Sequence, residues 1–133
     1  MTHTEARQIR LIRAPDAPAP NGHYSHAVEY AGVLYVSGQL GRGPNLSDED
    51  AGDIVVQTRR ALTSLATILR AGGSDASRLL KVTLYIADMA SWPAVNAAYS
   101  EFLGEHRPAR AVVAVGPLHF GALVEIDAIA ALG

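Results

Sequence analysis

Arg110 and Glu125 are the residues of this chain whose types and surroundings best suit chemistry on a small anion. The segment His106-Arg107-Pro108-Ala109-Arg110 leads into the apolar run Ala111 to Val115, and Ala122-Leu123-Val124-Glu125-Ile126-Asp127-Ala128 follows. The first segment puts a guanidinium at the mouth of one strand, and the second puts a carboxylate inside the next. A guanidinium is a planar fork of N–H donors that matches two carboxylate oxygens and keeps its charge. Pro108 fixes its own φ and restricts Arg107, so the turn carrying Arg110 has few ways to move. The pattern points to a small carboxylate held by Arg110, with Glu125 available for proton transfer. A surface Arg at a strand start and a Glu on a solvent-facing strand would leave the same trace in the sequence.

Composition narrows the remaining chemistry. The chain has 133 residues, 49% of them hydrophobic, which suits a single domain over 1–133 with its own core. It has no cysteine, so disulfides, a catalytic thiolate and thiolate-ligated metals are excluded. A formal net charge of -2, with acids and bases interspersed, offers no basic face for nucleic acid and no charged run for a membrane surface. No apolar stretch approaches the ~18 residues of a spanning helix and the N-terminus is polar, so a cytoplasmic protein is expected. A Schiff-base mechanism would rest on the one lysine, Lys81, which equally suits a strand edge or a partner's acid. His23, His26 and His119 have the right type for acid–base work near neutrality, or are simply loop and strand-edge histidines. As a metal site they are poorly arranged, because His23-Tyr24-Ser25-His26 leads into a strand and has no helical face to align two imidazoles. No metal and no cofactor are expected.

The elements that must position these groups follow from periodicity. Ile9 to Arg13 reads as a short strand, and the Pro/Ala-rich stretch Ala14 to Asn21 as an ordered connector. His26 to Tyr30 and Val33 to Val36 form a hairpin through Ala31-Gly32, and Ser37-Gly38-Gln39 is expected to end its second strand. Acids from Asp48 to Asp53 suit a helix N-terminus. Ile54, Thr58, Ala61, Leu62, Leu65, Ile68 and Leu69 then recur at helical spacing until Gly72-Gly73. Leu79 to Ile86 is a strand. Ser91 to Leu103 is a second helix, with Ser91 as candidate N-cap, Pro93 in its first turn, and Val95, Ala98, Tyr99 and Phe102 as its stripe. Ala111 to Val115 and Leu123 to Ala130 are the last strands. The order predicts an α+β domain with two helices on one face of a mixed sheet. Its other face would be too apolar for water, so a homo-oligomer is expected.

Taken together, these segments resemble the Rid/YjgF family of reactive-intermediate (enamine/imine) deaminases, from about Ala19 to Ala130. The resemblance rests on Gly22-x-Tyr24-Ser25-x-Ala27-Val28, Val36-Ser37-Gly38-Gln39, Gln57-Thr58-Arg59, Lys81-Val82-Thr83, Asp88-Met89 with Val95-Asn96, Arg107-Pro108-Ala109-Arg110, and Gly121 to Ala128. It implies a chorismate-mutase-like fold, a homotrimer and clefts between subunits. It further implies hydrolysis of 2-imino acids, in exchange with 2-aminoacrylate-type enamines, to 2-oxo acids and ammonia without a cofactor. On that resemblance Arg110 anchors the substrate carboxylate, Glu125 handles the water, and Tyr24 lines the cleft. Ser37, Gly38 and Asn96 border or support it, and the backbone of Ala111 and Val112 supplies donors. The chain departs from the family pattern at His23, His26, Ala111, Val112 and the loop Pro117-Leu118-His119-Phe120, where His119 enters the candidate site. Those departures leave open a different unstable intermediate as substrate, or a trimer that binds carboxylates or proteins without catalysis.

Overall fold

The computed structural model describes residues 8–133; the first seven, which bear on the expectation about the N-terminus, lie outside the described residues. Six strands, β1 (Arg10–Ile12), β2 (Ala27–Tyr30), β3 (Val33–Leu40), β4 (Leu79–Ile86), β5 (Ala109–Ala114) and β6 (Val124–Ala131), form one sheet in the order β1-β2-β3-β6-β4-β5. Among the described strands only β4 and β5 pair in parallel, and the chain between them crosses over through a helix, as parallel neighbours require. A short helix α1 (Asp48–Ala51) precedes the two main helices, α2 (Ile54–Ala71) and α3 (Trp92–Leu103). The mixed α+β architecture read from the sequence is the one observed.

Helix α2 begins where the Asp53 side chain accepts a hydrogen bond from Val56 N–H (3.0 Å), and it ends at Gly72. Its stripe Ala61, Leu62, Leu65, Ile68 and Leu69 is buried against Leu34, Val82, Leu84, Ile126 and their neighbours. Removing each such large side chain from water contributes about 1.5–3 kcal/mol, so tertiary burial rather than helix propensity holds α2 in place. Helix α3 buries Val95, Ala98 and Tyr99 in the same layer.

Strand alternation sets which groups face away from the helices. In β6, Val124, Ile126, Ala128 and Ala130 are buried, while Glu125, Asp127, Ile129 and Ala131 point to the other face. Among the described residues no helix covers that face, which leaves Leu11 at 70%, Tyr35 at 47% and Val113 at 41% exposure.

Three local expectations need correction. Strand β3 does not end after Val36 but continues to Leu40, because its register with β6 shifts between Val36 and Gln39 and absorbs one extra residue as a bulge. The acids of 48–53 do not open one helix. Ser47 caps α1, whose first turn holds Asp48, Glu49 and Asp50, and Asp53 caps α2. Ser91 makes no side-chain cap bond; the preceding turn is capped by Asp88, whose carboxylate accepts from Ala90 N–H at 2.9 Å.

Candidate functional site

Arg110 is the second residue of β5, the strand at one edge of the sheet. In the parallel register it lies beside Val82, which is fully buried, so its side chain is on the helix-covered face. Three residues of α3 hold it there. Arg110 Nη1 donates to Asn96 Oδ1 at 2.7 Å, and the guanidinium carbon lies 5.0 Å from the Tyr99 ring centroid and 5.6 Å from that of Trp92. Such contacts fix the plane of the fork without using all of its donors. Arg107, Pro108, Asn96, Tyr99 and Arg110 line an open groove of about 480 Å³. The Tyr99 hydroxyl is buried there and finds no hydrogen-bond partner among the described residues. Burial raises its pKa, against the favourable charge of Arg110.

Backbone donors beside Arg110 divide into two sets. Val115 N–H donates to Ile86 O at 2.9 Å, and successive N–H groups of a strand point to alternate sides. Ala111 N–H is therefore turned into the sheet toward β4, whereas Val112 N–H faces the free edge. Of the two expected donors, only that of Val112 is available to a ligand.

Glu125 sits on the opposite face of the same sheet, over the β3 bulge. Gln39 Nε2 donates to the carbonyls of Ser37 and Gly38, both at 3.1 Å, and pins the irregular backbone. Ser37 Oγ donates to Ser25 O at 2.6 Å, so Ser37 supports the bulge and lines none of the concavities described. Gly38 is required by close approach: a Cβ there would stand 2.5 Å from Glu125 Oε2 and 2.9 Å from its Cδ. Glu125 lines a cleft of about 210 Å³ together with Tyr24, Gly38 and His119, and on its other side a shallow hollow of about 380 Å³ with Tyr85 and Asp127. Burial pushes the Glu125 carboxyl above the usual carboxylate range, the Asp127 carboxylate pushes it the same way, and His119 opposes both.

The histidines separate by role. His26 is buried, accepting from Ala14 N–H at Nδ1 (3.1 Å) and donating from Nε2 to Pro18 O (2.8 Å), so it clamps the Pro/Ala-rich connector in one tautomer. His23 is exposed and outside the cleft. His119 borders the cleft, its ring centroid 3.8 Å from that of Phe120, which is held at φ +60°. A bulky residue in that left-handed region costs on the order of 1–3 kcal/mol and occurs where surrounding structure imposes it. Among the described residues no group of three or more His, Asp or Glu is placed to hold a metal ion.

Arg110, Asn96 and Val112 thus form one cluster, and Tyr24, Gly38, His119 and Glu125 another, on opposite faces. Sequence reasoning missed Tyr99, Trp92, Tyr85 and the buried Gln57, which accepts from Leu123 N–H (2.9 Å) and donates to Gly52 O (3.0 Å), tying the start of β6 to α2. The helical stripe points to Tyr99 as core alone, and cross-strand partners such as Tyr85 are invisible until register is known.

Two helices on one side of a mixed sheet, an aromatic-clamped arginine at its edge and a glutamate over a bulge glycine define a small α+β domain with divided chemistry. The Endoribonuclease L-PSP family model matches residues 14–132, and the chain belongs to that family, the YjgF/Rid family. It is 40% identical over 124 residues to a 2-iminobutanoate/2-iminopropanoate deaminase of Capra hircus, covering 93% of this chain and 90% of that one. The Rid-family protein YyfA of Yersinia pestis is 33% identical with a TM-score of 0.86, covering 94% of this chain and all of that one. TdcF of E. coli, solved with bound serine, is 29% identical with a TM-score of 0.84, covering 93% and 99%.

Proposed function

We propose that this protein is a cofactor-independent enamine/imine deaminase that hydrolyses 2-imino acids to 2-oxo acids and ammonia, and that it does so as a homotrimer with shared sites. The curated relatives of that activity support the reaction class. The observation that carries the shared site is the division of labour across the sheet. Arg110 and Glu125 face opposite sides, so one chain cannot close both on one small molecule, while the edge of one copy against the uncovered face of another would. The bare apolar face, open in a single chain, supports the same assembly.

In this mechanism the Arg110 fork, oriented by Asn96, takes the substrate carboxylate, and Val112 N–H adds a donor at the free edge. Tyr24, Gly38 and His119 shape the cleft around the imine. The Glu125 carboxylate accepts a proton from water as the oxygen attacks C2 of the protonated imine. Protonated Glu125 then returns that proton to the carbinolamine nitrogen, the C–N bond breaks, and ammonia leaves as the hydroxyl gives up its proton and C=O forms. No external oxidant or group donor is needed. The test is ammonia release from a freshly generated 2-imino acid. Turnover well above the buffer rate is expected; hydrolysis at the buffer rate with intact carboxylate binding would leave a binding protein instead.

A further inference from the structure

Glu125 does not act alone on its face of the sheet. Tyr85 on β4 is its cross-strand partner, and Thr83 is the partner of Asp127, so Glu125 and Asp127 stand one above the other beside Tyr85. The Tyr85 hydroxyl donates to Asp127 Oδ2 at 2.9 Å. Tyr85, Glu125, Asp127 and Gly38 line one shallow hollow, which Gly116 and Pro117 also border. Gly38 lies beneath Glu125 and admits no side chain there, since a Cβ would stand 2.5 Å from Glu125 Oε2.

We propose that the Tyr85–Asp127 pair is a positioning device for the proposed hydrolysis: Asp127, held by the Tyr85 hydroxyl, strengthens Glu125 as the acceptor of the water proton. Asp127 touches no reacting atom. It acts because a second negative charge on the same face disfavours the ionised form of Glu125, so a proton taken from water is retained long enough to be passed to the departing nitrogen. The hydrogen bond from Tyr85 has a definite sense, since a phenol donating to a carboxylate stabilises its charge and fixes its direction. The raised pKa of the Tyr85 hydroxyl, caused first by this bond, agrees with that sense.

Other groups facing Glu125 do not replace this pair. His119 opposes it from the turn after β5. Arg60 is committed to the carbonyls of Gly41 and Ala51 (2.6 and 2.8 Å), and Arg42 to Asp48 and Leu46 O (2.7 and 2.6 Å). His26 is spent on the connector, and the Tyr24 hydroxyl accepts from Asn21 N–H at 3.0 Å.

The role in catalysis rests on the deaminase reading, but the coupling to Glu125 is measurable without turnover. The experiment is a pH titration of the Glu125 side-chain carboxyl by 13C NMR in the intact protein, paired with the pH profile of kcat/KM for 2-imino acid hydrolysis. Asp127→Asn is expected to move the Glu125 midpoint to lower pH, because loss of a like charge eases ionisation, and to move the acid limb of activity with it. The plateau kcat should fall about 3- to 10-fold as the base weakens. Tyr85→Phe should give a smaller shift in the same direction, and Asp127→Glu should restore both. An unmoved Glu125 midpoint in Asp127→Asn, with the fold intact by circular dichroism, overturns the proposal. A moved midpoint in a protein that hydrolyses no imine leaves the coupling in place and overturns the deaminase reading alone.

Discussion

Arg110 and Glu125 occupy two regions of one sheet that are built by opposite means. The Arg110 region is secured by side chains: an amide acceptor, two aromatic rings and a proline two residues ahead hold a group that carries its charge under all conditions. The Glu125 region is secured by backbone: a bulge pinned by Gln39, a glycine with no room above it, and a loop strained at Phe120. A binding group needs a fixed direction, and packing against a rigid helix provides it. A group that must gain and lose a proton needs a tuned environment, which burial and a like charge provide. Under the proposed mechanism, orientation and acidity are therefore separate requirements, met on separate faces of the sheet.

Breaking the Arg110 side should have the largest effect. Arg110→Ala is expected to lower kcat/KM for a 2-imino acid by about 10²-fold or more, with loss of 2-oxo acid binding, and Arg110→Lys should rescue it poorly. Near-normal hydrolysis by Arg110→Ala would end the anchoring role. Glu125→Gln should slow kcat by about 10²-fold while a 2-oxo acid still binds, as measured by calorimetric titration. The two variants also test the shared site directly. If the residues of one site come from different chains, co-refolding equal amounts of the two inactive proteins should regain about a quarter of wild-type activity, each role being filled correctly half the time. No recovery from verified mixed oligomers would place both roles in one chain.

Gly38→Ala sharpens the contrast from the Glu125 side. The added methyl displaces the carboxyl without touching its chemistry, and a misplacement of that size should lower kcat by about 10-fold or more, with a much smaller change in 2-oxo acid affinity. Equal losses in kcat and affinity would show that Gly38 serves the anion subsite instead.

Much of this is legible in the sequence. The helical period of α2 and the two-residue alternation of β6 placed the core, and alternation alone put Glu125 and Asp127 on one face. The side that Arg110 faces was not legible, because it depends on the parallel register of β5 with β4, a long-range pairing that local pattern does not encode. The same holds for the division between the N–H groups of Ala111 and Val112. In the sequence the bulge at Ser37 and Gly38 reads as a strand end, because glycine breaks local pattern in both cases and only the partner strand decides between them. Histidines near a motif suggested chemistry, yet His26 is fully used by backbone partners.

The smallest expected effect probes the aromatic clamp itself. Tyr99 places its ring 5.0 Å from the Arg110 guanidinium but buries a hydroxyl that has no partner among the described residues. An unsatisfied buried hydroxyl costs about 1–3 kcal/mol, whereas the phenyl face alone supplies the cation–π contact. Tyr99→Phe should therefore leave kcat/KM within about 2-fold of wild type and raise stability by about 0.5–1 kcal/mol, read as a higher urea midpoint at unchanged slope. A loss of activity with no gain in stability would mean that the hydroxyl finds its acceptor in the assembled, substrate-bound site. Tyr99 would then count with Arg110 among the groups that touch the substrate, and the clamp would be part of the anion subsite and not merely its support.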